Sequence, residues 1–188
     1  MSEFLRTFIA IPLSDDCRRA IATIQRTFRQ LPCDVRWEEE DKFHITLKFL
    51  GATSQEQIQT LKKELEIRSK QFSEFEISFS NLGAFPNQRA PHIVWIGISE
   101  PETLAPIQEA VESVCRNLGF PKEDRPFHPH VTLGRVKSNR NLHCLTEEIK
   151  SITFEAIQSK CNSIALMKSD LKPGGSIYSL IQKFPFQP

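Results

Sequence analysis

The chain has 188 residues, 39% of them hydrophobic and 25% charged, a profile of ordinary globular proteins that excludes disordered, collagenous and membrane-spanning classes. Its 24 basic and 23 acidic side chains leave a formal net charge of +1, which excludes a global field drawing the protein onto duplex nucleic acid or an anionic bilayer. A chain of this length buries roughly 70% of the surface its unfolded form exposes, so one domain over 1–188 needs no disulfide or structural metal for stability.

Residues 7–13, TFIAIPL, read as a buried strand. Ser14 then offers a capping hydroxyl, with Asp15 and Asp16 in the first turn of a helix running to about Gln30. From Lys42 to Leu50 the apolar Phe43, Ile45, Leu47 and Phe49 alternate with His44, Thr46 and Lys48, a period of two that places the polar set on one strand face. Ser54 caps a second helix to about Arg68, with Ile58, Leu61 and Leu65 at helical spacing, and 75–82 returns to alternation. The order then restarts: IVWIGI at 93–98 as a strand, a helix over about 102–118, and a strand over 127–136 in which His130 and Thr132 share a face. A short helix over 142–150 follows, then FEAIQS at 154–159, which echoes FEISFS at 75–80. Lys172-Pro173-Gly174-Gly175 is turn chemistry before a last strand over 177–184.

The pattern predicts a duplicated strand-helix-strand-helix-strand unit, with lobes at about 6–82 and 91–168 and a C-terminal strand within 175–186. Five scattered cysteines without a Cys-x-x-Cys pair fit a reducing cytoplasm. No leader pattern and no run of ~18 apolar residues is present, so neither secretion nor membrane insertion is expected. A monomer is the default expectation.

The chemistry concentrates in two matched motifs, His44-Ile45-Thr46-Leu47 and His130-Val131-Thr132-Leu133. One His-x-Thr on a strand is common; two at matching places of a repeat would converge two imidazoles and two hydroxyls on one cleft. Such a set suits a phosphodiester. Opening a cyclic phosphate needs one group to take a proton from water and another to give one to the departing oxygen, and imidazole titrates near neutrality. Hydroxyls of Thr46 and Thr132 would stabilise charge on the phosphoryl oxygens. Metal chemistry is the weaker alternative: His128 lies two residues from His130, but no Asp, Glu or Cys accompanies either motif, and His128 and His143 read as peripheral.

Beyond the motifs, RTFIAIPL at 6–13, VRW at 35–37, FHITLKFLG at 43–51, LGAFPNQRAPHIVWIGI at 82–98, PFHPHVTLGRV at 126–136 and the tail at 169–186 resemble the 2H phosphoesterase superfamily, and within it the RNA 2′,3′-cyclic phosphodiesterase family, also called 2′-5′ RNA ligases. The resemblance implies an α+β, bilobal, pseudo-twofold fold of two mainly antiparallel sheets facing a central cleft, helices outside. It implies an RNA substrate ending in a 2′,3′-cyclic phosphate, a 2′-phosphomonoester product and no cofactor or metal. His44 would be the proton donor and His130 the acceptor. The reverse reaction, 2′-5′ ligation, and a non-catalytic nucleotide-binding module stay open.

The resemblance also places Arg135 of Thr-Leu-Gly-Arg at the phosphate, although strict alternation turns it away from His130 unless Gly134 permits a bulge. Lys48 has the parity of His44 and is either a second cation or a strand-edge lysine. Of the aromatics Trp37, Phe43, Phe85, Phe127 and Tyr178, Phe43 and Phe127 point away by parity. Trp37 is retained as a base-stacking candidate, with Arg89 as a contact for the RNA backbone. The acidic run 38–41 would repel a phosphate backbone.

Overall fold

The structure, a computed structural model, describes residues 4–188. Along the chain come β1 (Leu5–Pro12), α1 (Asp15–Arg29), β2 (Val35–Trp37), β3 (His44–Thr53), α2 (Gln55–Ser69), β4 (Phe75–Phe85), β5 (Ile93–Ile98), α3 (Ala105–Asn117), β6 (His130–Val136), α4 (Leu142–Ser151), β7 (Ile157–Cys161), β8 (Ser163–Lys172) and β9 (Gly175–Pro185). The starts of α1 and α2 follow their serine caps. Ser14 Oγ accepts from the Cys17 N–H at 3.2 Å, and Ser54 with Gln57 forms a reciprocal capping box.

Two strands have no periodic signature in the sequence. β2 is three residues long, and β8 begins with Ser163 to Leu166 all buried, so both of its faces are covered there and no alternation shows.

The strands form an α+β architecture of two antiparallel halves, β7-β4-β5-β6 and β3-β1-β8-β9. A single antiparallel pair, Ile45 with Val131, joins the halves at β3 and β6, and β2 extends β6 beyond that point. The chain exchanges strands between the halves. β4 follows β3 but pairs with β5, while β8 follows β7 and returns to pair with β1. FEISFS and FEAIQS, the echoing segments, are near neighbours: Ser78 of β4 lies opposite Gln158 of β7.

All four helices cover one face of the sheet. α2 and α3 lie behind the half with β3, and α1 and α4 behind the half with β7 and β4. One apolar core runs between the layers and through both halves, including Ile9, Phe28, Ile45, Leu61, Phe79, Ile96, Val131, Leu133 and Phe184. No helix among the described residues is long and apolar enough to cross a membrane.

Candidate active site

Ile45 and Val131 are both fully buried in the core. Alternation therefore sends His44, Thr46, His130 and Thr132, all half-buried, to the face that the helices leave open. The pairing register also fixes how the motifs meet: with Ile45 opposite Val131, His44 falls across from Thr132 and Thr46 across from His130. Two strands from different halves thus bring both imidazoles and both hydroxyls to one seam.

The two rings are held alike. His44 Nδ1 lies 2.6 Å from the Lys42 carbonyl and His130 Nδ1 lies 2.7 Å from the His128 carbonyl, each two residues upstream. A carbonyl only accepts, so each Nδ1 carries a proton and donates, leaving Nε2 as the working nitrogen. The Thr46 hydroxyl stands 3.1 Å from His44 Nε2 and can donate to its lone pair.

Aromatic rings enclose each imidazole. Phe8 and Tyr178 lie 4.9 and 5.3 Å from His44, and Phe85 and Trp95 lie 4.9 and 6.2 Å from His130. This desolvation is the chief cause that brings His44 down to about 4 and also lowers His130; each backbone carbonyl acts in the opposite sense. The charge of His130 and then of Arg135 acts in the same lowering sense on His44, and that of His128 and then of Arg135 on His130.

Strict alternation fails at both motifs for one reason, a bulge at the motif leucine. In β6 Thr132 faces Trp95 and Gly134 faces Val94, leaving Leu133 as the extra residue. In β3 Thr46 faces Ala10 and Lys48 faces Ile9, leaving Leu47. Each bulge reverses the parity of the residues after it. Arg135 returns to the histidine face, where its Nε lies 3.3 Å from Glu38. Lys48 is turned under the sheet instead, a correction to its expected place: it is buried, with Nζ 3.0 Å from Glu112 and 2.6 Å from the Pro121 carbonyl.

The bulged backbone has its own support. The Leu133 carbonyl accepts from Gln25 Nε2 at 2.8 Å and from the Glu38 N–H at 2.9 Å. Gly134 is needed for a different purpose from the expected one: a β-carbon there would lie 2.6 Å from Trp37 Cε3 and 2.8 Å from Val35 Cγ1.

Trp37 is not in the cleft. It packs against the core beside Phe28, ring centroids 6.1 Å apart, on the helix side. Phe43 is a core residue as expected, whereas Tyr178 and Phe85 are the aromatics that reach the histidines. His128 is not peripheral, since its carbonyl orients His130 and its ring packs on Trp95 at 4.6 Å. Arg89 lines an open groove with Trp95, His143 and Lys150, between the turn after β4 and α4. Phe8, Trp95, Gln25 and the pairing role of Glu38 escaped sequence reasoning, because strands distant in sequence bring them here. Among the described residues no three His, Cys, Asp or Glu side chains group as a metal set.

The fold has close counterparts. TT0787 of Thermus thermophilus superposes with a TM-score of 0.80 at 24% identity, covering 96% of this chain and 97% of that one. The E. coli LigT structure with 3′-AMP superposes with a TM-score of 0.75 at 24% identity, covering 99% and 100%. Fold and paired His-x-Thr strands define the class as a 2H phosphoesterase. The sequence matches the LigT-like phosphoesterase family twice, over residues 11–95 and 96–178. A protein of Methanothermobacter thermautotrophicus described as an RNA 2′,3′-cyclic phosphodiesterase is 31% identical over 181 residues, 96% of this chain and 98% of its own. The chain belongs to the LigT-like phosphoesterase family.

Proposed function

We propose that the protein hydrolyses RNA 2′,3′-cyclic phosphate ends to 2′-phosphomonoesters, with His44 and His130 as acid and base and without a metal. The observation that carries this reading is the pair of oppositely placed imidazoles, each with Nδ1 tied to a carbonyl and Nε2 directed to working use. Relatives described as RNA 2′,3′-cyclic phosphodiesterases support the substrate class.

Water attacks phosphorus and yields its proton to His130 Nε2 as the P–O3′ bond breaks. O3′ takes a proton from His44 Nε2, leaving a 3′-hydroxyl and a 2′-phosphate. The family resemblance supplies this direction, and the seam suits it, since in-line displacement needs acid and base on opposite sides of phosphorus. Thr46 and Thr132 donate to the non-bridging oxygens, and Arg135 balances their charge. The chain acts as one domain in which each half contributes one imidazole.

The terminal base would find an apolar row beside His44. Phe49, Phe8, Met167 and Leu180 stand opposite one another in turn across β3, β1, β8 and β9. Phe49 and Leu180 are more than half exposed there.

The test is a short RNA with a 2′,3′-cyclic end, incubated with protein in excess EDTA at neutral pH, with 2′- and 3′-phosphate products resolved. Wild type is expected to give the 2′-phosphate, and His44→Ala and His130→Ala to lose about 10²–10⁴-fold each. Activity abolished by EDTA, or full activity in either variant, would refute the reading.

A further inference from the structure

β2 brings a second guanidinium to the open face. Arg36 lies directly opposite Arg135 in the β2–β6 pair, and Trp37, its neighbour, packs on the helix side, so Arg36 shares the face of Arg135 and the histidines. Like charges directly opposite across a strand pair are destabilising. Glu38 relieves Arg135, but among the described residues Arg36 has no carboxylate or hydrogen-bond partner. The pair and its carboxylate therefore leave one positive charge uncompensated, in a chain whose formal net charge is only +1.

The Arg36 head has a defined place. A β-carbon added to Gly175, at the tip of the β8–β9 hairpin, would lie 3.7 Å from Arg36 Cζ and Nη1, so the guanidinium rests against that turn. Tyr178, three residues further along β9, packs on His44. Arg36 thus stands on the cleft rim where β2 and the hairpin approach each other. Arg135 lies on β6, the strand that carries His130, whereas Arg36 lies on the neighbouring β2 with its head against the hairpin turn. One strand spacing, ~4.8 Å, separates the backbones of the two arginines.

We infer that Arg36 binds the phosphodiester immediately 5′ of the terminal nucleotide and makes the site selective for oligonucleotides over cyclic mononucleotides. The inference rests on the proposed RNA substrate. An RNA whose 3′ end carries the cyclic phosphate has further phosphates only on its 5′ side, so a cation beyond Arg135 along the rim has that one phosphate to meet. Arginine suits the task, because its planar fork matches two phosphate oxygens.

The experiment compares kcat/KM for a tetraribonucleotide ending in a 2′,3′-cyclic phosphate with that for adenosine 2′,3′-cyclic phosphate, in wild type, Arg36→Gln and Arg36→Lys. The oligonucleotide-to-mononucleotide ratio is expected to fall about tenfold in Arg36→Gln, the size of one charge-assisted contact. Most of it should return in Arg36→Lys. The salt dependence for the tetranucleotide should lose about 0.7 in logarithmic slope in Arg36→Gln, the value for one phosphate contact on a single strand.

A merely structural role would lower both substrates together and leave the ratio unchanged, which would overturn the inference. So would an effect on neither substrate. If wild type turns over neither substrate, the proposed chemistry fails separately. The same ratio is then read from equilibrium binding of a tetranucleotide ending in a 3′-phosphate against adenosine 3′-monophosphate, and an unchanged ratio again overturns the inference.

Discussion

Aromatic packing lowers the proton affinity of both imidazoles in the free protein, so His44, brought down to about 4, is neutral at pH 7 before substrate arrives. In the proposed reaction the acid must carry a proton, and an anionic cyclic phosphate bound there would supply the compensation, since an opposite charge favours imidazolium. The kcat/KM profile reports the free enzyme and the kcat profile the substrate complex. The optimum for kcat is therefore expected at higher pH than that for kcat/KM; coincident optima would show that substrate charge does not retune the pair. Folding stability responds to the same shift. A histidine lowered below its unfolded value contributes stability present above about 6.5 and lost as pH falls toward 4, because the unfolded chain takes up the proton first. At this scale the sequence was highly legible: His44, Thr46, His130 and Thr132 are local patterns on strands. The rings that retune them were not, because Tyr178 and Phe85 arrive on β9 and β4 through long-range pairing.

At the scale of elements, the two bulges decide which cations share the face of the histidines. A period of two put Lys48 with His44 and Arg135 away from His130, and the extra Leu47 and Leu133 reverse both. In β3 nothing local in the sequence marks the bulge and in β6 only Gly134 beside it does, since both leucines are ordinary buried residues whose side chains keep the apolar parity. The bulge in β6 depends on α1. Buried Gln25 donates to the Leu133 carbonyl at 2.8 Å and to the Glu38 carbonyl at 2.7 Å, tying the bulge to the strand that carries the Arg135 partner. Gln25→Leu would leave the Leu133 carbonyl with the Glu38 N–H alone and the Glu38 carbonyl with Arg29 Nη2 alone, and is expected to cost about 0.5–1.5 kcal/mol per lost bond in urea unfolding. It should also lower kcat/KM, through Arg135. Wild-type stability in that variant would show that the bulge holds without the glutamine.

Across the whole molecule, the exchange of β4 and β8 makes each half depend on chain from the other, and one core passes through both. Unfolding is therefore expected as one cooperative transition, with tryptophan fluorescence and far-ultraviolet circular dichroism coincident and calorimetric and van't Hoff enthalpies equal. Two resolved transitions would mean that the halves are separate units. By itself the sequence determined the helix caps, the main strands, the α+β class, the repeated motifs and the family, since each is written in short-range spacing or in residue identity. The tertiary structure alone decided the strand exchange, the seam at Ile45 and Val131, the aromatic walls, the place of Trp37 in the core and the rim position of Arg36. Those features arise from pairing register and bulges between strands far apart in the chain. Their energies belong to contacts that no local window of sequence contains.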